Sequence, residues 1–337
     1  MIRPILTLLI VLSIVLLLAA AVASGLAWQH YRSFEQTALP HQQPVRLWLA
    51  PGATLGTLAR ELQRLGLTRA DWRWRLLGRL HQPLLRAGEY QLPVGSHPLQ
   101  LIEQIERGQV MAHHLTIVEG WTVKRLRQEL AADSRLVQTA RELSDAELMR
   151  RLGCSDCYAE GWFLPETYRF ERGDRDLDLL ARAHRAMRDQ LDQAWQNRAP
   201  ELPLQSADEL LILASLIEAE TMLAPERAQV SGVFVRRLQR GMRLQTDPTV
   251  AYGIEGAFDG RIRRVHLTTD HPWNTYTRHG LPPTPIGLPG AAALQAAAHP
   301  ADGEALYFVA RGDGSHHFSA TLAEHNRAVA RYILGRQ

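Results

Sequence analysis

An apolar run near the N-terminus carries no charged side chain from Pro4 to Gln29. The run, ILTLLIVLSIVLLLAAAVASGLAW, is longer than the ~20 residues that a helix needs to cross a bilayer. It also exceeds the ~7–15 residues of a signal-peptide core, although its AVA tripeptide resembles a cleavage site and leaves a cleaved signal peptide as the alternative. We predict that residues 1–31 form a membrane anchor with a short cytoplasmic tail. Trp28 and Tyr31 are expected at the far interface.

Between residues 45 and 110 the apolar positions follow the pattern of a small α/β module. Alternation over 45–49 predicts a strand, and apolar positions three to four residues apart over 58–65 predict a helix. Two further helices, over 71–81 and 98–107, and a second strand, over 88–92, are predicted. The unit resembles a LysM-type module, which binds glycan chains in known proteins. A spacer domain with a similar strand–helix pattern is the alternative.

The segment LILASLIEAET, from Leu211 to Thr221, places two glutamates at the end of an apolar helix. Ser206 and Glu209 form a predicted capping box at its start. The positions that follow are apolar nearly all the way round, which is typical of a buried helix. Because each residue turns a helix by ~100°, Glu218 and Glu220 point to nearly opposite sides. We therefore expect that they do not form a facing pair.

A carboxyl group at the end of a buried helix tends to have a raised pKa, because burial disfavours the charged form. Such a group can act as a general acid near neutral pH. The alternative is that Glu218 and Glu220 are solvated residues at a frayed helix end. The helix dipole disfavours anions there, and a sequence selected only for helix stability would carry Lys instead.

Two polar loops follow this helix. LQTDPTVAYG spans 244–253, and NTYTRHGLPPTPIGLPG spans 274–290 with four prolines that stiffen it. Their Gln, Thr, Asp, Asn and Tyr side chains suit sugar hydroxyls, which need many positioned hydrogen-bond partners. Ordinary connecting loops are the alternative for each of them.

Composition and charge exclude few classes of function. The 337 residues have a net charge of +3 and a sequence pI of about 9.1, with no dense Lys/Arg block, so no nucleic-acid partner is predicted. Cys154 and Cys157 form one C-x-x-C pair without a nearby His, which is a poor zinc site. We expect a structural role for them, as a disulfide or as thiols, with redox chemistry as the alternative. The histidines are too scattered to predict a metal site.

Six stretches resemble, in order and spacing, the MltG (YceG-like) family of endolytic murein lytic transglycosylases. They are EGWFLPETY at 160–168, LASLIEAET at 213–221, GMRLQTDPTVAYG at 241–253, NTYTRHGLPPTPIGLPG at 274–290, AAAHP at 296–300 and LYFVARGDGSHHFS at 306–319. The resemblance implies an α+β catalytic domain over 113–337. The predicted fold class is thus α+β, with a transmembrane helix, a LysM-like module over 45–110 and a larger catalytic domain.

The resemblance also implies site residues. The family's catalytic glutamate matches Glu220, and Glu218 is the second-ranked acid. The family pattern E-K-E-T has Ala219 here in place of the lysine, which removes any role of that lysine. The predicted sugar-binding residues are Gln245, Thr246, Asp247, Asn274, Thr275 and Tyr276. No metal and no cofactor are expected.

The implied reaction is cleavage of the β-1,4 bond between N-acetylmuramic acid and N-acetylglucosamine in nascent glycan strands, giving 1,6-anhydro ends and terminating strand elongation. The implied partners are peptidoglycan strands, the bacterial inner membrane and cell-wall synthases, with the catalytic part in the periplasm. One alternative is a lysozyme-type hydrolase, which needs a second carboxyl group such as that of Asp247 or Glu166. Another is an inactive, membrane-tethered glycan-binding scaffold.

Overall fold

The computed structural model describes residues 2–254 and 260–335, with side chains from Thr7 onward. Within it the chain divides into two units. The first comprises the described residues up to His113 together with Glu171–Gly173. The second comprises His114–Phe170 and the described residues from Asp174 onward.

The apolar N-terminal run is one long helix, α1, Ile2–Gln36. Its part from Thr7 onward is long and apolar enough to cross a membrane, by length and composition. Trp28 is exposed. The expectation for Tyr31 is wrong, because its side chain is buried in the core of the first unit and its hydroxyl donates to Glu35. The last turns of α1 therefore belong to the folded first unit.

The first unit contains the strands and helices that the apolar pattern predicts over 45–110. They are β1 Val45–Leu49, α2 Leu55–Arg64, α3 Trp72–His81, β2 Gly88–Leu92 and α4 Pro98–Glu106. β1 pairs antiparallel with β2, with Leu47 opposite Tyr90. Both of these side chains are fully buried and pack with Trp74 of α3. The alternation over 45–49 thus directs one face of the strand into the core, as the pattern indicates.

The remaining elements lie in the second unit, apart from the first two residues of β3 and the last residue of β4. They are β3 Ala112–Thr116, α5 Val123–Ala132, α6 Asp145–Arg151, β4 Thr167–Glu171, α7 Asp176–Gln196, α8 Ala207–Glu220, α9 Ala224–Gln239, α10 Asp247–Gly253, α11 Arg264–Thr268, α12 Ala291–Ala298, β5 Tyr307–Ala310, β6 His316–Ser319 and α13 Leu322–Tyr332. β3 pairs with β4, and β5 pairs antiparallel with β6. All sheets in the described residues are two-stranded, so the mixed α+β architecture is dominated by helices.

α8 lies at the centre of the second unit and is buried on every side, as its sequence predicts. Every residue from Leu210 to Glu218 is buried, and α7, α9 and α12 pack around the helix. α12 has the sequence AAALQAAA, whose small side chains allow a close approach to α8. The Ser206 side chain caps α8 by accepting from the Glu209 amide, whereas Glu209 accepts from Gln205 rather than from Ser206. Only half of the predicted capping box therefore forms.

Cys154 and Cys157 form a disulfide in the structure, which decides between the disulfide and free thiols. The bond closes the turn after α6, and both residues pack against the smaller of the two cores of the second unit. The pairing is in keeping with an oxidising compartment.

Replacing Leu213 of α8 with Ala should destabilise the second unit by about 2–5 kcal/mol, because the side chain is fully buried and the change leaves a cavity. Urea denaturation of the full chain in detergent, followed by circular dichroism, measures the loss. Leu322→Ala, at a position with 55% exposure, is the control and should change stability by less than ~0.5 kcal/mol. Equal effects of the two changes would contradict the central position of α8.

Candidate active site

Glu218 is one of the two acids at the end of α8, and it is held inside the protein. Its carboxylate accepts from the Gly290 amide at 2.9 Å and from the Arg227 guanidinium at 3.3 Å. Gly290 is the N-cap of α12, so the negative charge also meets the positive end of a helix. A Cβ at Gly290 would displace the Glu119 carboxylate, which lies directly beside it. Burial raises the pKa of Glu218. Its contacts tie α8 to α9 and α12.

Glu220 has different partners, as the helical phase predicts. Its carboxylate accepts a hydrogen bond from the Thr246 hydroxyl, and the side chain is partly accessible. Burial raises the pKa of Glu220 from its ordinary value of 4.5 to about 7, and the Asp247 charge adds to the rise. The Thr246 hydrogen bond and the charges of His316 and Arg237 oppose it. The carboxyl group is therefore divided between its protonated and ionised forms near neutral pH.

The two predicted polar segments meet beside Glu220. The prediction of a loop over 244–253 is wrong for most of that segment, because Asp247–Gly253 forms the helix α10, whose first turn tolerates Pro248. The Gln245 amide donates to the Thr275 carbonyl at 3.2 Å, and the Thr246 amide donates to the Thr275 hydroxyl at 3.1 Å. The Thr249 hydroxyl lies 2.9 Å from that of Thr275. Gln245 has a φ of +52°, in the left-handed region that residues other than glycine rarely adopt. Such backbone strain often occurs at functional sites, and here it immediately precedes the threonine that contacts the acid.

The predicted sugar-binding residues fall into two groups by exposure. Gln245 and Asp247 are exposed, and Tyr276 is half-buried with its hydroxyl 2.5 Å from an Asp247 carboxylate oxygen. Thr246, Asn274 and Thr275 are buried.

Asn274 is fully buried, and its amide holds its own loop. Its Nδ2 donates to the carbonyls of Thr269 at 2.7 Å and His266 at 3.1 Å, while its Oδ1 accepts from the Tyr276 amide. In this structure the contacts of Asn274 are thus with the backbone of the loop that carries Tyr276.

Arg237 of α9 is a site residue that the sequence reasoning did not identify. The side chain is buried, and it donates to the carbonyls of Leu306 and Leu244, each at 2.7 Å. It thereby joins the short segment that precedes α10 to the residue preceding β5. The sequence feature that could have indicated Arg237 is its position within the apolar stripe of α9, four residues after Val233.

His316 of β6 is the second such residue. Its Nδ1 lies 2.7 Å from a Glu226 carboxylate oxygen, and its backbone amide donates to the other oxygen at 2.8 Å. The Glu226 carboxylate accepts from both, and these two contacts fix the position of the His316 ring. The sequence LYFVARGDGSHHFS contained this residue, but two adjacent histidines on a strand gave no indication of which one faces the acid.

Within the described ranges, no group of three or more His, Cys, Asp or Glu side chains is arranged to hold a metal ion.

Residues 47–331 match the YceG-like family. The chain belongs to this family. The YceG-like chain is 31% identical over 265 residues to an endolytic murein transglycosylase of Bacillus subtilis (strain 168), an alignment that covers 74% of this chain and 73% of that protein. It is 26% identical over 284 residues to an endolytic murein transglycosylase of Streptococcus pneumoniae (strain ATCC BAA-255 / R6), of which it spans only 51%. A solved structure of a yceG-like protein from Listeria monocytogenes has a TM-score of 0.54 at 25% identity and covers 85% of this chain and 99% of that one.

The site of this YceG-like protein departs from the family pattern at Ala219. The residue is exposed and lies between the two acids, where the resemblance places a lysine. The nearby cations that act on Glu220 are therefore Arg237 and His316, which come from α9 and β6.

Glu220→Gln should make the protein more stable at pH 8 but not at pH 4. The folded state holds the Glu220 proton more tightly than the unfolded chain does, so stability is lost as pH rises from 4.5 through about 7. A neutral glutamine removes this loss, which amounts to up to about 3 kcal/mol. Urea denaturation at both pH values measures it, with Glu304→Gln, an exposed position, as the control. A lower stability of Glu220→Gln at pH 8 would contradict the raised pKa.

Proposed function

We propose that this YceG-like protein is an endolytic murein lytic transglycosylase with Glu220 as its catalytic acid. It cleaves the β-1,4 bond between N-acetylmuramic acid and N-acetylglucosamine within glycan strands and leaves 1,6-anhydro ends. The observation that carries the proposal is the position of Glu220, which has a pKa raised to about 7 and lies beside Thr246 and the exposed Asp247. The relatives named endolytic murein transglycosylase support the same reaction.

A single carboxyl group serves both halves of this reaction. Protonated Glu220 donates its proton to the glycosidic oxygen as the C1–O4 bond breaks. The resulting carboxylate then accepts the proton of the muramyl C6 hydroxyl, whose oxygen forms the new bond to C1. The acid is thereby regenerated without water. A pKa near 7 matches both steps, because each form of the carboxyl is accessible at the operating pH.

In this proposal some of the surrounding residues contact the sugar, and others hold those residues or Glu220 in position. Gln245, Asp247 and Tyr276 are accessible, and we assign them to the sugar subsites. Thr246 orients the Glu220 carboxyl through its hydroxyl. We assign Asn274 and Thr275, whose polar atoms bond within the loops, to positioning of the subsites.

A retaining hydrolase requires a second carboxyl group ~5–5.5 Å from the first. Glu218 is unsuited, because Gly290 and Arg227 hold its carboxylate on the other side of α8. Asp247 is the carboxylate whose charge acts on Glu220, and it accepts from the Tyr276 hydroxyl. The chemical nature of the product ends separates the hydrolase from the transglycosylase.

The proposal extends to location and partners. α1 anchors the chain in the bacterial inner membrane by a single pass, and the remainder acts in the periplasm, where it meets peptidoglycan strands and cell-wall synthases. The order β1–α2–α3–β2, with the strands paired antiparallel, supports a LysM-like module over 45–110 that binds glycan. The catalytic domain occupies 113–337.

Glu220→Gln should lower the cleavage of purified glycan strands by about 10³-fold or more, because the glutamine amide cannot serve as general acid. Mass spectrometry of the products of the unmodified enzyme should find ends one water lighter than reducing ends. Glu304→Gln, at an exposed position, is the matched control and should cleave normally. Retained turnover in Glu220→Gln would refute the assignment of the acid, and reducing ends would indicate a hydrolase.

Thr246→Val should move the alkaline limb of the pH profile of kcat/KM to higher pH. The Thr246 hydroxyl stabilises the carboxylate form of Glu220 and lowers its pKa, so its removal raises the pKa, by about 0.5–1 unit. Thr268→Val is the control, since that hydroxyl bonds only to carbonyls of its own helix. A limb that stays in place or moves to lower pH would contradict the role of Thr246.

A further inference from the structure

A cleft of about 1150 Å³ lies in the second unit and is separate from the residues that contact Glu220. It is lined by one face of α5, by residues 155–160 and by the C-terminal end of α10 with Trp273 and Thr284. Charged and aromatic side chains in its lining include Lys124, Arg141, Asp156, Glu160, Tyr252 and Trp273. A cleft of this volume can hold a ligand of several residues.

Glu160 is a fixed carboxyl group in this cleft. It accepts from the Val123 amide at 2.9 Å and from the Tyr252 hydroxyl at 3.1 Å. Tyr252 packs edge-to-face on Trp273, with ring centroids 5.6 Å apart, and the Trp273 indole donates to the Thr284 hydroxyl at 2.9 Å. The cleft therefore has a rigid wall that presents two aromatic rings beside an acid. None of these groups has a role in the proton transfers at Glu220.

The rim carries both signs of charge. Lys124, Arg141 and Asp156 are exposed there. The guanidinium of Arg141 comes no closer than 4.0 Å to Glu142. The Arg127 side chain, by contrast, is occupied by Asp145 at 2.7 Å and by three backbone carbonyls. Among the described residues, the cations at this rim that have no close partner are thus Lys124 and Arg141.

α10 joins the cleft to the acid. It begins at Asp247, directly after the threonine that contacts Glu220, and Tyr252 lies five residues further along. At ~1.5 Å per residue the two positions are ~8 Å apart along the helix. A strand bound at Glu220 would therefore have its substituents within reach of the cleft.

We propose that this cleft binds the peptide stem that murein carries on the lactyl group of N-acetylmuramic acid. The inference rests on the proposed function and names a second part of its substrate. The glycan backbone consists of N-acetylated sugars whose lactyl carboxyls are amide-linked to the stems, so it offers no charge to a rim of mixed sign. The stem has free carboxylates, which match Lys124 and Arg141, and an amine, which matches Asp156 and Glu160. Its methyl groups match the wall of Tyr252 and Trp273.

The test compares two substrates, glycan strands that bear their stems and the same strands stripped by an amidase. The variant Lys124→Glu with Arg141→Glu, in the full chain, should lower the ratio of kcat/KM for stem-bearing over stripped strands by about tenfold, because two attractive contacts become repulsive. The double variant Arg185→Glu with Arg188→Glu, at two exposed positions on α7 outside the cleft, is the charge-matched control and should leave the ratio unchanged. The neutral pair Lys124→Gln with Arg141→Gln should give a smaller fall in the same direction.

An unchanged ratio in the Glu pair would overturn the stem site. An equal loss on both substrates would also overturn it, because the cleft would then bind sugar. In both cases cleavage of stripped strands by the unmodified enzyme leaves the proposed function intact. If the unmodified enzyme cleaves neither substrate, the proposed function fails and the stem site falls with it.

Discussion

The burial of α8 on all sides is the constraint on which the site depends. A helix that is apolar around its whole circumference is stable only when other elements cover every face, and α7, α9 and α12 do so. Such a helix has little freedom to rotate or slide, because protein interiors are packed as densely as organic crystals. Glu220, its last helical residue, is consequently held at one fixed position. The negative end of the helix dipole lies there as well and further disfavours a charged carboxylate.

Because of their spacing on the helix, one of the two acids can have a structural role while the other is available for chemistry. Residues two apart on a helix face opposite sides, so one carboxylate can be held by the protein while the other meets the loops. Glu218 has a backbone amide and a guanidinium as partners, which makes its buried charge tolerable. Glu220 has a hydroxyl, which is a weaker partner for a charge, and its pKa stays high. The different strength of the two sets of partners accounts for the two roles that we propose.

The sequence predicted those features that depend only on residues close together in the chain. The burial of α8, the strand over 45–49 and the opposed directions of Glu218 and Glu220 all follow from periodicity within a few residues. The contacts between Gln245 or Thr246 and Thr275 span about thirty positions, and no local pattern specifies them. The pattern also could not distinguish a polar residue that faces a ligand from one that braces a loop.

Asn274 and Arg237 illustrate the second difficulty. Asn274 looked like a hydrogen-bonding partner for sugar, but the loop folds so that backbone carbonyls occupy its amide. Arg237 was not identified from the sequence, and in the structure its guanidinium donates to the carbonyls of Leu244 and Leu306. Both side chains satisfy backbone groups that the irregular loops leave unpaired. Such groups must be satisfied somewhere, yet the sequence does not reveal which side chain reaches them.

Glu220 keeps a pKa near neutrality because the nearby cations are bonded to other groups. A guanidinium paired directly with this carboxyl would favour its charged form and lower the pKa far below 7, which would leave no proton for an acid step. Arg237 instead donates to carbonyls, and His316 is bound to Glu226. Both therefore act on Glu220 only through space, and burial outweighs them. The site thus keeps its acid partly protonated near neutral pH, because the neighbouring cations have other partners.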